Sequence, residues 1–317
     1  MVKSSQSMRC GIVLAAGEGR RLQAFIRRLR GDYLPKQFVR FVGKRSMFEQ
    51  TFRRIEKLIH PSRLFTVVNR HRLDYPEVRR QLVSRPPNTV VIQPANKKTG
   101  PGILLPLMHV FKKYPGGIVA VFPADHFIVE EDIFMDHVEM AFRAVERNAS
   151  SLVLFGTQPH EPESEYGYIV PGREAHPGVS EVLEFVEKPA PEVALKLMER
   201  GGLWNTMVMV FKIRTLLDLV RRADPRMYRS FEKIFQALGT DRETAAVNDV
   251  YDRIETVNFS KGLLEKFAGD DTAALRVLAV RGVRWSDWGS ERRITTALQN
   301  RASRQAGKAV RNPENTL

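Results

Sequence analysis

The amino-acid sequence predicts an α/β fold in which helices flank a mixed, mostly parallel β-sheet. Short apolar runs alternate with amphipathic stretches through the first half of the chain, and this alternation is typical of βαβ units. The apolar runs are continuous, as expected for strands that are covered on both faces. A glycine-rich turn follows the first run directly, where a helix could begin. These observations together predict a layered domain with ligand-binding turns at one edge of the sheet.

The strands of the first half are expected where the apolar runs lie. They are predicted at residues 11–15, 65–68, 90–92, 118–122 and 151–155. Helices are predicted between them at residues 47–59, 102–113 and 132–148. In the first of these helices, Phe48, Phe52 and Ile55 recur at helical spacing, which places them on one buried face.

After about residue 155 the pattern shifts towards an antiparallel region. Strands are predicted at residues 166–170, 182–186, 204–211 and 275–280, and helices at residues 191–200 and 214–223. Residues 231–264 are expected to be helical in parts. We expect one domain over residues 9–300, preceded by a disordered leader (residues 1–8) and followed by a polar, disordered tail (residues 301–317).

Composition excludes several classes of protein. With 43% hydrophobic and 27% charged residues among 317, the chain has a globular composition. Its one cysteine, Cys10, excludes an internal disulfide framework and favours a reducing, cytoplasmic location. No apolar run reaches the roughly 18 residues of a membrane span, so no membrane partner is expected. The net charge of +14 suits an anionic ligand, and without an aromatic RNA-binding signature we expect no nucleic-acid partner.

The first strand leads into a turn that is suited to binding phosphate. Gly17 and Gly19 let the chain turn and let a ligand approach, and Arg21 adds positive charge. The dinucleotide fingerprint is not matched, because Leu22 occupies its third glycine position, and the Gly-Lys-Ser/Thr ending of a Walker loop is absent. A plain strand-to-helix turn is the alternative. Lys36, on a proline turn a little further on, favours the phosphate site.

Polar side chains follow two further predicted strands. Gln93 comes after the third strand and could read a base edge, although on its own it would be a loop amide. Asp125 comes after the fourth strand, where a helix cap is the plainer alternative, and His126 beside it is expected to be a packed neighbour. Asp287 stands between aromatic residues and a glycine, which indicates a fixed loop. Carboxylate oxygens together with phosphates are the environment of Mg²⁺.

These residues, in this order, resemble the sugar-1-phosphate nucleotidyltransferases, and most of all the mannose-1-phosphate guanylyltransferase branch. The matching segments span nearly the whole chain in family order: residues 14–22, 35–38, 123–126, 165–169, 185–189, 204–205 and 285–290. The resemblance implies a Rossmann-like mixed sheet of the nucleotide-diphospho-sugar transferase type.

The resemblance also implies a role for each matched position. The nucleotide would be bound by Leu14, Ala15, Gly17, Gly19 and, at its base, Gln93. The catalytic residues would be Arg21 and Lys36, both on the triphosphate, and Asp125. Asp125 and Asp287 would hold Mg²⁺. The sugar phosphate would be bound by Gly167, Glu187, Lys188 and Asn205.

Several positions depart from the family pattern. Ala16 replaces a usual glycine, and residues 97–101 read Lys-Lys-Thr-Gly-Pro in place of Arg-Asn-Thr-Ala-Pro. Met207 stands where glycine is common, and residues 258–260 replace a Ser-x-Asp segment. These departures fall mainly on base and sugar contacts, so they affect the identity of the substrates more than the type of reaction.

The reaction expected from the resemblance is transfer of a nucleotidyl group from a nucleoside triphosphate, GTP first, to a sugar 1-phosphate, mannose 1-phosphate first, with release of pyrophosphate. One alternative is a catalytically degenerate protein that binds a nucleotide sugar and regulates a partner. Another is the same reaction with a different base or sugar. The expected partners are therefore the two small-molecule substrates, and a homo-oligomer is left open.

Overall fold

The computed structural model describes residues 8–270 and 275–299, and its centre is a nine-stranded sheet. The strands are β1 (Arg9–Leu14), β2 (Leu64–Asn69), β3 (Val90–Gln93), β4 (Ile118–Pro123), β5 (Phe127–Ile128), β6 (Leu152–Thr157), β7 (Gly167–His176), β8 (Val179–Glu187), β9 (Leu203–Lys212), β10 (Leu275–Val280) and β11 (Trp285–Ser286). All of them belong to the central sheet except β5 and β11, which form a two-stranded sheet of their own.

Helices connect the strands. The α-helices are α1 (Gln23–Arg30), α2 (Met47–Ile55), α3 (Pro76–Val83), α4 (Thr99–Lys113), α5 (Glu131–Arg147), α6 (Pro191–Glu199), α7 (Ile213–Ala223), α8 (Pro225–Ala237), α9 (Glu243–Arg253) and α10 (Glu265–Phe267). Residues 291–299 are also helical. Short 3₁₀ turns cover Arg20–Leu22, Lys36–Phe38, Pro61–Arg63 and Arg70–Asp74, and a π turn covers Ser260–Leu264.

The central sheet is mixed and mostly parallel, as the sequence predicts. Strands β3, β2, β1 and β4 run parallel in that order. Strand β9 is inserted antiparallel between β4 and β6, and β10 pairs in parallel with β6. The antiparallel β7–β8 hairpin lies at the far edge, where β8 pairs with β10, and β7 also pairs with β9. Every antiparallel pair of the sheet therefore includes β8 or β9, the two strands of the second half that run against the others.

Helical layers cover both faces of this sheet. Successive residues of β1 point to opposite layers, so Ile12 packs on the side of α4, α7, α8 and α9, whereas Val13 packs on the side of α2 and α5. Burial on both faces explains why the strands read as continuous apolar runs. Cys10 is buried in the first of these layers as a free thiol. In the described part of the chain, none of the helices has the length and apolar composition to cross a membrane.

Two predicted helix boundaries differ from the structure by more than one residue. The helix expected over residues 47–59 ends at Ile55, because the chain must turn before the proline-led 3₁₀ segment that enters β2. Helix α4 begins at Thr99, earlier than expected, because proline and glycine are tolerated in the first turn of a helix, where amide groups have no intrahelical acceptor. Residues 1–7 of the expected leader and the expected tail (residues 301–317) lie outside the described residues.

Candidate functional site

The glycine turn lies at the carboxyl end of β1, and its carbonyl groups accept hydrogen bonds from buried side-chain amides. The side-chain amide of Gln37 donates to the carbonyl oxygens of Ala15 (2.7 Å) and Gly17 (3.1 Å). The amide of Asn69, at the end of β2, donates to the carbonyl of Ala16 (2.7 Å). Two side-chain amides from neighbouring elements therefore fix the path of the turn.

With its carbonyls occupied, the turn presents backbone N–H groups. Within the described part of the chain, the amides of Gly17, Glu18 and Gly19 have no acceptor. Gly19 has φ 61°, a left-handed conformation that favours glycine, and a Cβ there would lie 3.4 Å from Cγ of Lys36. A Cβ on Gly17 would meet no described heavy atom within 4 Å. The turn is thus open above Gly17 and carries free donors, the arrangement that binds an anion.

Lys36 lies beside the glycine turn and contacts both loops that carry the predicted metal ligands. Its ammonium lies 3.0 Å from Oδ2 of Asp125, 2.7 Å from the carbonyl oxygen of Asp287 and 3.4 Å from that of Trp288. The residue is only 7% exposed. All three donors of the ammonium are therefore directed at the loops that carry the two predicted metal ligands.

A two-stranded sheet brings those two loops together. Strand β5 follows Asp125 directly along the chain, and β11 precedes Asp287. The strands pair antiparallel, with Ser286 opposite Phe127 and Trp285 opposite Ile128. Continuing this register places residue 287 beside the start of β5, next to Asp125. Two loops that are far apart in the sequence, each carrying one of the predicted metal ligands, are thereby brought to Lys36.

Asp287 is held in its ionised form by several donors. Its Oδ1 accepts from the hydroxyl of Tyr166 (2.7 Å), the amide of Gly289 (2.9 Å) and Nη1 of Arg293 (2.9 Å). Burial alone would raise the pKa of Asp287, but Lys36, the Tyr166 hydroxyl and Arg293 outweigh burial and lower the pKa below its ordinary value. Oδ2 remains outside these bonds and lies 3.8 Å from Nη2 of Arg21.

Arg293 and Tyr166 belong to this network but are absent from the site residues predicted from the sequence. Arg293 lies over the ring of Tyr166, 4.6 Å from its centroid, and its guanidinium also pairs with Glu163. Arg21 pairs with Glu165, so the segment before β7 supplies partners to both arginines. The sequence offers little signal for Arg293, because one arginine in a charged helix looks like any other surface residue.

His126 behaves as a packed neighbour, as expected. It is 6% exposed and meets Trp285 edge to face, with ring centroids 5.1 Å apart. Burial lowers the pKa of His126 to about 4. The ring is therefore neutral at neutral pH and packs against an aromatic side chain.

The residues predicted to bind sugar phosphate meet at the ends of β7, β8 and β9. Gly167 pairs with Glu187, and a Cβ on Gly167 would lie 2.8 Å from Oε2 of Glu187, so glycine leaves room for this carboxylate. Burial raises the pKa of Glu187 above its ordinary value, although Asn258 and Lys188 oppose the rise. The amide of Lys188 donates to the carbonyl of Tyr166 (3.2 Å), which connects this group of residues to the carboxylate network. Asn205 lies in β9 and is buried.

Gln93 lies at the end of β3 with both ends of its amide bonded to protein. Its nitrogen donates to Oδ1 of Asn69 (2.5 Å), and its oxygen accepts from the hydroxyl of Tyr251 (3.3 Å). The same hydroxyl lies 3.3 Å from the carbonyl of Pro101. Gln93 is thus a fixed part of the wall beneath residues 97–101.

Residues 254–260, here named the clamp segment, hold residues 97–101 in place. The amide of Gly100 donates to the carbonyl of Val257 (2.8 Å), and the amide of Val257 donates to the carbonyl of Lys97 (3.1 Å). Nζ of Lys97 also donates to the carbonyl of Ile254 (2.9 Å). Asn258, within the clamp segment, donates to Oε1 of Glu187 (3.3 Å). One short segment therefore contacts both the predicted base side and the predicted sugar side.

A separate cleft of about 1300 Å³ lies behind the carboxylate network. Tyr166, Trp204, Trp285 and Arg293 form part of its wall. No residue predicted to bind nucleotide, metal or sugar phosphate lines it among the residues described.

Comparisons with known proteins agree with this architecture. The family model for nucleotidyl transferases matches residues 10–304. The alginate biosynthesis protein AlgA of Pseudomonas syringae pv. tomato is 32% identical over 68% of this chain and 44% of that protein. Mannose-1-phosphate guanylyltransferase 2 of Escherichia coli O157:H7 is 30% identical over 70% of this chain and 47% of that protein. The chain spans about half the length of these curated relatives.

A solved structure shows the same fold. The crystal structure described as a mannose-1-phosphate geranyltransferase from Thermus thermophilus matches with a TM-score of 0.75 and 26% identity, over 89% of this chain and 76% of that chain. The Rossmann-like, nucleotide-diphospho-sugar transferase type of sheet expected from the sequence is confirmed. Since the family match extends over nearly the whole chain, the protein belongs to the nucleotidyl transferase family.

Proposed function

We propose that this chain transfers a nucleotidyl group from a nucleoside triphosphate to a sugar 1-phosphate and releases pyrophosphate. The observation that carries the proposal is the convergence of Lys36, Asp125 and Asp287 beside a glycine turn whose amides are free within the described residues. A buried cation that is bonded to one carboxylate and to the backbone of the loop that carries the other, next to an open anion site, suits the alignment of two polyanions whose repulsion must be offset.

The glycine turn would hold the triphosphate. The amides of Gly17, Glu18 and Gly19 would donate to phosphate oxygens, and Leu14 and Ala15 would form the wall below them. Arg21 is half exposed and now pairs with Glu165, so its guanidinium could exchange a carboxylate for a phosphate.

Asp125 and Asp287 would hold Mg²⁺. Oδ2 of Asp287 lies outside the hydrogen bonds that fix Oδ1, and Oδ2 of Asp125 has Lys36 as its neighbour. In the part of the chain that the structure describes, no three His, Cys, Asp or Glu side chains form a metal-binding group, so phosphate oxygens and water would complete the ligands. When bound, Mg²⁺ would neutralise phosphate charge that Lys36 and Arg21 offset only in part.

The chemistry needs no general base. An oxygen of the sugar phosphate attacks the α-phosphorus, the bond between that phosphorus and the bridging oxygen breaks, and pyrophosphate leaves. The attacking phosphate is already ionised near neutral pH, because its second pKa is about 6. His126, buried and neutral, is not required.

The choice of substrates rests on relatives and on the walls of the site. The similarity to mannose-1-phosphate guanylyltransferase 2 of Escherichia coli favours GTP and mannose 1-phosphate. Glu187 and Asn205 would bond sugar hydroxyls, with Gly167 leaving space and the exposed Lys188 facing the phosphate. The base would lie against Gln93 and residues 97–101. A cytoplasmic location, suited to the free thiol of Cys10, and a homo-oligomeric state belong to the same proposal.

The decisive experiment measures pyrophosphate release by the full chain across a matrix of nucleoside triphosphates and sugar 1-phosphates with Mg²⁺. We expect nucleotide sugar and pyrophosphate in equal amounts, with GTP and mannose 1-phosphate the most efficient pair. Preference for UTP or dTTP would remove the guanylyl assignment alone. If no pair turns over but the chain binds a nucleotide sugar tightly, the protein is not an enzyme of this type, and the alternative of a regulatory nucleotide-sugar-binding protein is supported.

A further inference from the structure

Strand β9 contains a bulge centred on Met207. Leu154 of β6 pairs with Met209, and Gly156 pairs with Asn205, so a single residue of β6 faces three of β9 between these pairs. Met207 has φ 58°, in the left-handed region that glycine adopts without strain. Bulges next to binding sites redirect side chains, and a strained residue persists only where its surroundings hold it.

The side chain of Met207 is held by polar groups on two sides. Its sulfur lies 3.5 Å from Nδ2 of Asn205 and 3.2 Å from the hydroxyl of Ser260. Its amide donates to Oδ1 of Asn205 (3.1 Å). Met207 is partly exposed, whereas Thr206 and Val208 on either side are each 1% exposed. Met207 also packs against the hydrophobic layer that contains Ile12, so its side chain lies at the boundary between the core and the site.

This position is next to Asn205 and is linked through the clamp segment to Glu187, the two side chains that would bond the sugar. Asn205 contacts Met207 directly, and Asn258, in the same clamp segment as Ser260, donates to Glu187. The thioether thus fills space between Asn205 and the clamp segment, on the side where Glu187 lies. A glycine at this position would take the same backbone conformation and leave that space empty.

We propose that Met207 is a specificity-determining residue that limits the size of the sugar substituent admitted between Asn205 and the clamp segment. The inference rests on the proposed function of the site. It implies that a hexose 1-phosphate with free hydroxyl groups is accepted, while one carrying a bulkier group at the carbon facing Met207 is rejected. Steric exclusion by one side chain is sufficient for this discrimination.

The test compares the wild type with Met207→Gly on the parent hexose 1-phosphate that the wild type uses best. Synthetic analogues carry an acetamido group in place of one hydroxyl, at each ring position in turn. We expect Met207→Gly to raise kcat/KM for at least one analogue, relative to the parent sugar, by about tenfold or more. If Met207→Gly shows the same ratio of kcat/KM between analogue and parent sugar as the wild type for every analogue, the proposal is overturned.

Asn88→Gly is the matched control. Asn88 also has a left-handed backbone, φ 63°, and it lies exposed outside the site, so this variant relieves the same kind of strain without opening the pocket. We expect its substrate ratios to equal those of the wild type. Thermal unfolding of both variants verifies that they fold.

Calorimetric binding of the same sugar 1-phosphates separates failure of this inference from failure of the proposed function. If no pair turns over but Met207→Gly still gains affinity for an analogue, the reaction is wrong and the size limit stands. If pairs turn over and the ratios stay unchanged, the reaction stands and the role of Met207 falls. If neither protein binds any sugar 1-phosphate, the pocket assignment and the role of Met207 both fall.

Discussion

Two regions of the site differ in what holds their side chains in place. At the charged end, defined by Lys36, Asp125 and Asp287, the side chains bond one another and the backbone of strand-end loops. At the clamped side, defined by residues 97–101 and the clamp segment, two loops that are distant in sequence are joined by two backbone hydrogen bonds and by bonds from the side chains of Lys97 and Thr99 to backbone groups. The charged end is anchored to the sheet, whereas the clamped side depends on how two loops fit each other.

We infer from this difference that the two regions have different functions. Charges fixed by strand ends suit a task shared by all members of the family, the alignment of two polyanions. Loops fixed by each other can change sequence together while the sheet stays the same. The departures from the family pattern at residues 97–101 and 258–260 fall on this second region and contact each other, and Met207 in β9 contacts the region at Ser260. We therefore expect mutations at the charged end to change rate and those at the clamped side to change selectivity.

The largest effect is expected from the two carboxylates. Asp125→Asn and Asp287→Asn each remove one negative charge with little change in shape, and we expect each to lower kcat by about 10²–10³-fold. The measurement is pyrophosphate release at saturating substrates and Mg²⁺. Asp218→Asn, an exposed carboxylate on α7, serves as the control. Near-normal turnover in either site variant would remove that residue from metal binding.

A smaller loss is expected for Lys36→Met, which keeps the stem and removes the charge. One charge-assisted contact contributes about 1.5–3 kcal/mol, so kcat should fall roughly ten- to a hundredfold. Because Lys36 lowers the pKa of Asp287, its loss should raise that pKa, and the acid limb of the rate profile should move to higher pH.

The control for Lys36→Met is Lys57→Met, since Lys57 also pairs with a carboxylate, that of Asp132, but on an exposed surface. This variant should keep the wild-type profile. An unchanged acid limb together with an unchanged kcat in Lys36→Met would place Lys36 outside the reaction.

A still smaller effect is expected at the clamped side. Tyr251→Phe removes the hydroxyl that bonds Gln93 and lies near the carbonyl of Pro101. A typical hydrogen bond contributes about 0.5–1.5 kcal/mol, so KM for the nucleotide should rise by up to about tenfold while KM for the sugar phosphate stays constant. Tyr228→Phe, on α8, removes a hydroxyl elsewhere in the same helical layer and serves as the control. Equal shifts in both KM values would argue against a base-side role for Tyr251.

The smallest effect concerns stability and pH. The unfolded chain protonates His126 near its ordinary pKa of 6.5, whereas burial lowers the folded pKa to about 4. Between these values the unfolded state binds more protons, so the free energy of unfolding should fall as the pH falls. His126→Phe should reduce this slope, whereas His176→Gln, at an exposed position, should keep it. Urea unfolding between pH 4 and 6.5 measures how the free energy of unfolding changes with pH. The same pH dependence in His126→Phe and in the wild type would show that His126 does not titrate as described.

Much of the fold and of the charged end is predictable because short-range patterns determine it. Continuous apolar runs locate the strands, and the residues after them, Gly17, Gln93 and Asp125, lie at the carboxyl ends of neighbouring parallel strands. Parallel strand ends share one edge of a sheet, so these residues must come together. Asp287 could be placed there only by resemblance, since the β5–β11 pairing that positions it is too short to give a periodic signal.

The clamped side could not be predicted in the same way. Each bond between the clamp segment and residues 97–101 uses a backbone group of the clamp segment, and every residue carries such groups, so the side chains of the clamp segment give no signal for these bonds. The left-handed conformation of Met207 is likewise invisible in the sequence, because methionine rarely adopts it. Arg293 reaches Asp287 from a helix whose charged residues look like any solvated face.

The claim that the charged end sets the rate and the clamped side sets the selectivity is tested most directly by measuring pyrophosphate release across the full substrate matrix for Lys36→Met and Tyr251→Phe side by side. We expect Lys36→Met to lower the rate of every productive substrate pair by a similar factor and to keep the pairs in the same order of rate. We expect Tyr251→Phe to change the order of rates among nucleotides and to leave the order among sugars as it was. A changed order of pairs in Lys36→Met, or an equal loss of rate for all pairs in Tyr251→Phe, would contradict the different roles of the charged end and the clamped side.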